Sequence, residues 1–131
     1  MQPIATLLRT MHLYSHEAHH YTSGSTFFSD HEFLGELYQA YLDAFDSICE
    51  RAVGLQTLFD ERAANKAALE KYLKLSALGS SVFSTLITLE KELQKELTAA
   101  NSSGTLGTQN LLQGLFDESE ARVYKLSRRV K

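Results

Sequence analysis

The chain has 131 residues, 44% hydrophobic and 22% charged, the balance of one ordinary folded domain rather than a disordered segment. No run of about 18 apolar residues occurs, which excludes a membrane-spanning helix. The net charge of −3 does not suit a purely electrostatic nucleic-acid binder, and the single Cys49 allows neither an internal disulfide nor a cysteine metal cluster.

Pro3 is the only proline, so long uninterrupted helices are open to the rest of the chain. The opening residues lack the basic start and long apolar block of a signal peptide, and a reducing cytoplasm is the expected location. A first helix is predicted from Pro3 to Tyr21, with Ile4, Leu7, Leu8, Met11, Tyr14 and Ala18 at helical spacing. The run Thr22 to Thr26 breaks it. A second helix is predicted to open at Ser29 or Asp30, with Ser29 and Glu32 as a capping box, and to run to about Leu58. A short amphipathic piece follows from about Lys66 to Ser76, and Gly79-Ser80-Ser81 separates it from the next helix. There Val82, Leu86, Leu89, Leu93, Leu97 and Ala100 form a stripe. Glu90, Lys91, Glu92, Lys95 and Glu96 occupy the other face, expected to be solvated or to meet a neighbouring subunit. Asn101 to Gly104 end that helix, and the last runs from about Thr108 to Arg128. No segment alternates as a strand. The expected fold is all-α: a single domain over residues 1–131, a four-helix bundle with a short extra helix in a long middle connection.

The candidate chemistry is concentrated early. All five histidines lie between His12 and His31, and Asp46 and Glu50 follow four residues apart on the second helix. Imidazole with carboxylate suits Fe, Mn or Zn. His31 precedes Asp46 by fifteen residues and Glu50 by nineteen. On a straight helix those separations are roughly 22 and 28 Å. One ion cannot take all three from one chain. If they share a metal, the helix must pair antiparallel with its copy, crossing between Tyr38 and Tyr41, and the site then occurs twice per dimer. A di-iron centre inside one bundle would need Glu-x-x-His on two helices; only Glu17–His20 has that form.

The stretch His19-His20-Tyr-Thr-Ser-Gly24-Ser-Thr-Phe27-Phe28-Ser-Asp-His31-Glu32 resembles the His-Trp-Asn-x-x-Gly-x-x-Phe-x-x-x-His-Glu pattern of the Dps mini-ferritins, the DNA-binding proteins from starved cells. Asp46-Ser-Ile-Cys-Glu50-Arg51 is similar to that family's Asp-x-x-x-Glu-Arg element, and His16 fits the His-x-x-His that many members carry. The stretches Leu69 to Ser76 and Gly107 to Leu112 resemble the family's middle and last helices. The resemblance implies a ferritin-like bundle assembled into a hollow dodecamer. It implies iron bound between two-fold-related subunits, by His19 and His31 of one chain and Asp46 and Glu50 of its mate. It further implies oxidation of Fe(II) by hydrogen peroxide or dioxygen and storage of ferric mineral, with protection against peroxide damage.

Three departures qualify that expectation. Gly35 stands where the family carries an Asp ligand, and Glu36 points about 100° away around the helix. His20 and Tyr21 replace the family's Trp and Asn, and His16 and His20 become candidates for additional ligands. No lysine-rich arm precedes the first helix; Arg122, Lys125, Arg128, Arg129 and Lys131 form a basic cluster at the other end, a weak candidate for DNA contact. The alternatives are a structural or DNA-protecting cage with an impaired centre, or a site for Zn or Mn. Tyr38, Tyr41, Tyr72 and Tyr124 are expected to be packing residues.

Overall fold

The computed structural model describes residues 1–75 and 82–131. Five helices follow in order: α1 (Gln2–Tyr21), α2 (Phe27–Gly54), α3 (Glu61–Leu73), α4 (Val82–Asn101) and α5 (Leu106–Arg129). No strand occurs among the described residues. The expected break at Gly79-Ser80-Ser81, and the end of the short helix at Ser76, lie outside the described residues. No helix among the described residues is long and apolar enough to cross a membrane.

α1 and α2 form one antiparallel pair and α4 and α5 the other, and α1 also packs on α3 and α4. The apolar stripes read for α1, α2, α4 and α5 meet in one core, whereas α3 buries Ala64 and Ala68 and leaves Leu69 and Leu73, read as its apolar side, exposed. Tyr14, Tyr41, Ile4, Met11, Leu86, Leu93 and Leu97 are all within 1% of complete burial. α3 is fastened to α1 by polar contacts as well. Arg9 Nε donates to Asn65 Oδ1 at 2.9 Å, and the Tyr72 hydroxyl donates to Glu17 Oε1 at 2.8 Å. Cys49 is buried and free.

Several helix limits differ from the sequence reading. α2 begins at Phe27, and the Ser29–Glu32 capping box does not form. Ser29 Oγ donates instead to the Thr26 carbonyl, while Thr26 Oγ1 donates to Asp30 Oδ2 at 2.7 Å. α2 stops at Gly54 rather than Leu58, because Gln56 adopts φ 55° in the left-handed region. Leu55 and Leu58 continue the apolar rhythm but are exposed. α3 starts at Glu61, five residues ahead of the expected Lys66, because the Asp60 side chain caps it by accepting from the Ala63 N–H.

Glu90 is the main correction within the core. It is fully buried rather than solvated. Its carboxylate accepts from the Tyr41 hydroxyl at 2.7 Å, from Ser119 Oγ at 2.8 Å and from the Arg122 guanidinium. The Arg122 guanidinium also lies over the Tyr41 ring. The network ties α2, α4 and α5 together at mid-bundle. Every oxygen of the buried carboxylate is satisfied, which a buried charge requires.

Candidate metal centre

The centre begins with a turn. Gly24 adopts φ +92°, a conformation open to glycine at no steric cost. The five-residue connection it belongs to folds the start of α2 back along the end of α1. His19 and His31, twelve residues apart in sequence, therefore stack, with ring centroids 3.8 Å apart and planes 17° from parallel.

Their hydrogen bonds are reciprocal. His19 Nδ1 lies 2.7 Å from the His31 carbonyl oxygen, and His31 Nδ1 lies 2.8 Å from the His19 carbonyl oxygen. A carbonyl can only accept, so each Nδ1 carries its proton. In the neutral ring the second nitrogen, Nε2, then carries the lone pair. This backbone lock is the device that fixes tautomer and orientation in histidine metal ligands. Phe27 stacks on the far side of His31, with centroids 5.0 Å apart.

Gly35 belongs to the same arrangement. A Cβ built there would lie 3.2 Å from Cε1 and 3.3 Å from Nδ1 of His19. A side chain at this position would press on that ring, which would have to give by a few tenths of an ångström.

His16 and His20 lie one turn apart on α1, with centroids 4.5 Å apart, and His12 continues the row 5.7 Å from His16. Tyr38 of α2 stands against this row, 4.2 Å from His16 and 5.3 Å from His19. Burial first, then the neighbouring His20 and His19, hold the His16 ring below the ordinary imidazole pKa. Burial likewise lowers His12, with Arg9 and His16 adding to the effect and Asp46 opposing it. The His12 Nδ1 is buried without a hydrogen-bond partner among the described residues.

Asp46 and Glu50 are not brought to His19 and His31 within the chain. Both are exposed on α2, about four to five turns beyond His31. No group of three or more His, Cys, Asp or Glu side chains among the described residues is disposed to hold a metal ion. His31, Gly35, Tyr38, Leu42 and Asp46 nevertheless recur at three- and four-residue intervals, so they share one side of α2. None of the five is fully buried within the chain.

The C-terminal basic residues divide. Arg122 is consumed by Glu90, and Arg129 pairs with Asp30, its Nη2 2.8 Å from Oδ2. The Arg129 guanidinium also covers Phe83. Lys125, Arg128 and Lys131 remain exposed. The sequence cluster is therefore not one basic patch. Among the tyrosines, Tyr41 is a core hydrogen-bonding residue, whereas Tyr124 is two-thirds exposed and packs little. The buried Glu90–Arg122 pair was hidden in the sequence because Glu90 heads a run of ordinary surface charges.

No family model matches the sequence, and no curated protein matches it. Solved structures do. A DPS protein from Vibrio cholerae O1, described as a member of a broad superfamily of ferritin-like diiron-carboxylate proteins, superposes with a TM-score of 0.82. The alignment covers 99% of this chain and 86% of that one at 24% identity. The antigen TpF1 from Treponema pallidum superposes with a TM-score of 0.73, covering 98% and 91% at 21% identity. The fold is accordingly that of Dps-type ferritin-like bundles.

Proposed function

We propose that this chain, which has a Dps-type ferritin-like fold, binds and oxidises Fe(II) at a site shared by two copies and stores the ferric product within a closed homo-oligomeric cage. His19 and His31 come from one copy, and Asp46 and Glu50 from the two-fold mate. The observation that carries this reading is the reciprocal Nδ1-to-carbonyl lock on two stacked rings, which leaves the Nε2 of each without a hydrogen-bond partner among the described residues. The carboxylates lie far along the same side of α2, where an antiparallel copy crossing near Tyr38 would bring its own Asp46 and Glu50 to the pair.

The roles follow from chemistry. The two imidazoles hold Fe(II), and the partner carboxylates favour the ferric state by charge. Two Fe(II) ions reduce one hydrogen peroxide, which takes up two protons and leaves as two waters, so no single-electron oxygen radical is released. Dioxygen is the other oxidant the site admits. At −3 per chain, twelve copies would carry −36, a reservoir that draws cations inward. Protection against peroxide, in a cytoplasmic setting, is the cellular role that fits.

The test is complementation. His31→Ala and Asp46→Ala are expected to abolish rapid Fe(II) oxidation separately. Co-assembled one to one, half of random dimers are mixed and each mixed dimer has one intact site. Activity should return to about a quarter of the unaltered level. If co-assembly restores nothing, the two-chain site is wrong.

A second reading is favoured by Gly35. With no carboxylate there, the same cage could be a structural or DNA-protecting shell with a slow centre, or hold Zn or Mn at these ligands. Gly35→Asp separates the readings: a large gain in oxidation rate marks an impaired native centre, and no gain, with Fe(II) binding retained, marks a complete one.

A further inference from the structure

We infer that His16 and His20 form a second metal position, apart from the His19–His31 pair, which takes a late first-row divalent ion such as Cu2+, Ni2+ or Zn2+. The two rings sit at i and i+4 on α1, the helical spacing at which a histidine pair chelates one ion. Their centroids are 4.5 Å apart with planes tilted by 46°. Tyr38 packs flat enough on His16, at 4.2 Å and 33°, to hold that ring from behind.

The donor atoms are available. The Nδ1 atoms of His19 and His31 are engaged by carbonyls, whereas neither His16 nor His20 hydrogen-bonds to any described protein group. His20 is exposed and His16 half-buried, so an ion can reach them from solvent. The carboxylate nearest in sequence, Glu17, is turned away and accepts from the Tyr72 hydroxyl at 2.8 Å. The donor set is therefore nitrogen alone, completed by water. Imidazole without carboxylate favours Cu2+, Ni2+ and Zn2+ and binds Fe(II) weakly. The two positions then sort metals by chemistry: iron to mixed imidazole and carboxylate, late metals to the imidazole pair. Tyr38 lies between them, 5.3 Å from the His19 ring.

The test removes the first pair and asks what is left. In a His19→Gln/His31→Gln variant, titration with Ni2+ should still show about one ion per chain. Adding His16→Gln or His20→Gln should weaken that binding by about tenfold or more, with helical content checked by circular dichroism. On the unaltered protein, Zn2+ should protect His16 and His20 from diethyl pyrocarbonate. Loss of all Ni2+ binding in the first variant overturns the proposal. So does binding that survives both further substitutions, or modification of His16 and His20 at an undiminished rate under Zn2+. None of these outcomes depends on Fe(II) oxidation, so the proposed function stands or falls separately.

Discussion

At the scale of single residues, the polar side chains differ in where their second polar atom goes. His19 and His31 each spend one nitrogen on a carbonyl and keep the other free. Asp30 and Glu90 spend both oxygens inside the chain. Sequence spacing picked out His19 and His31 but could not foresee the exchange of carbonyls, which needs the two helix ends side by side. It also misplaced Glu90 and Arg122, since a charge on a polar stripe looks the same whether its partner is water or a buried guanidinium. Arg122→Ala should destabilise the fold by about 3 kcal/mol or more, because it strands a buried carboxylate. Replacing Glu90 and Arg122 together by apolar residues of similar volume should cost far less. Denaturant unfolding distinguishes the two, and equal losses would contradict the account. Arg129, first by hydrogen bonding, holds the Asp30 carboxyl below its usual pKa despite the opposing effect of burial. The native state thus binds that proton less readily than the unfolded chain. The pair's contribution is complete above roughly pH 4 and is lost as pH falls through the depressed value. Asp30→Asn should flatten the acid limb of the stability curve below about pH 4, read as thermal midpoint against pH.

At the scale of helices, apolar periodicity located the four long elements, because each buries one stripe written at 3.6-residue spacing, whereas α3 was found on leucines that stay exposed while Ala64 and Ala68 are buried. The ends were less legible, and the reason is local. α2 was read too far because Leu55 and Leu58 keep the rhythm after the backbone has left the helix at Gln56. A left-handed non-glycine residue costs about 1–2 kcal/mol, and glycine repays part of that in unfolded-chain entropy. Gln56→Gly should therefore stabilise the fold by roughly 0.5–1 kcal/mol, seen as a higher denaturation midpoint at unchanged slope. Gly24 makes the opposite case, since its φ of +92° is what returns α2 to α1. Gly24→Val should lower stability by about 1 kcal/mol or more and weaken metal binding by the His19–His31 pair. Weakened stability with unaltered metal binding would show that the turn does not position the histidines.

At the scale of the whole molecule, the proposed centre takes half of its ligands from each chain. The two imidazoles stand where the end of α1 meets the start of α2 and the two carboxylates lie towards the other end of α2, a 28-residue helix about 42 Å long that keeps them apart. The length that makes an intrachain site impossible is what makes a two-fold one reasonable. That much followed from counting residues. What counting could not supply was the loss of the basic cluster as a unit, because Arg122 and Arg129 find acidic partners on other helices. DNA binding is therefore expected to be weak and to fall steeply with salt, as gel retardation at two ionic strengths would show. The central claim is that copies of this chain close into a cage whose shared sites load it with iron. Size fractionation with light scattering after Fe(II) and peroxide addition, with iron measured in each fraction, tests it most directly. The account predicts iron travelling with a particle of about twelve 14.7 kDa chains. Monomers or dimers, with iron left free or precipitated, would contradict it.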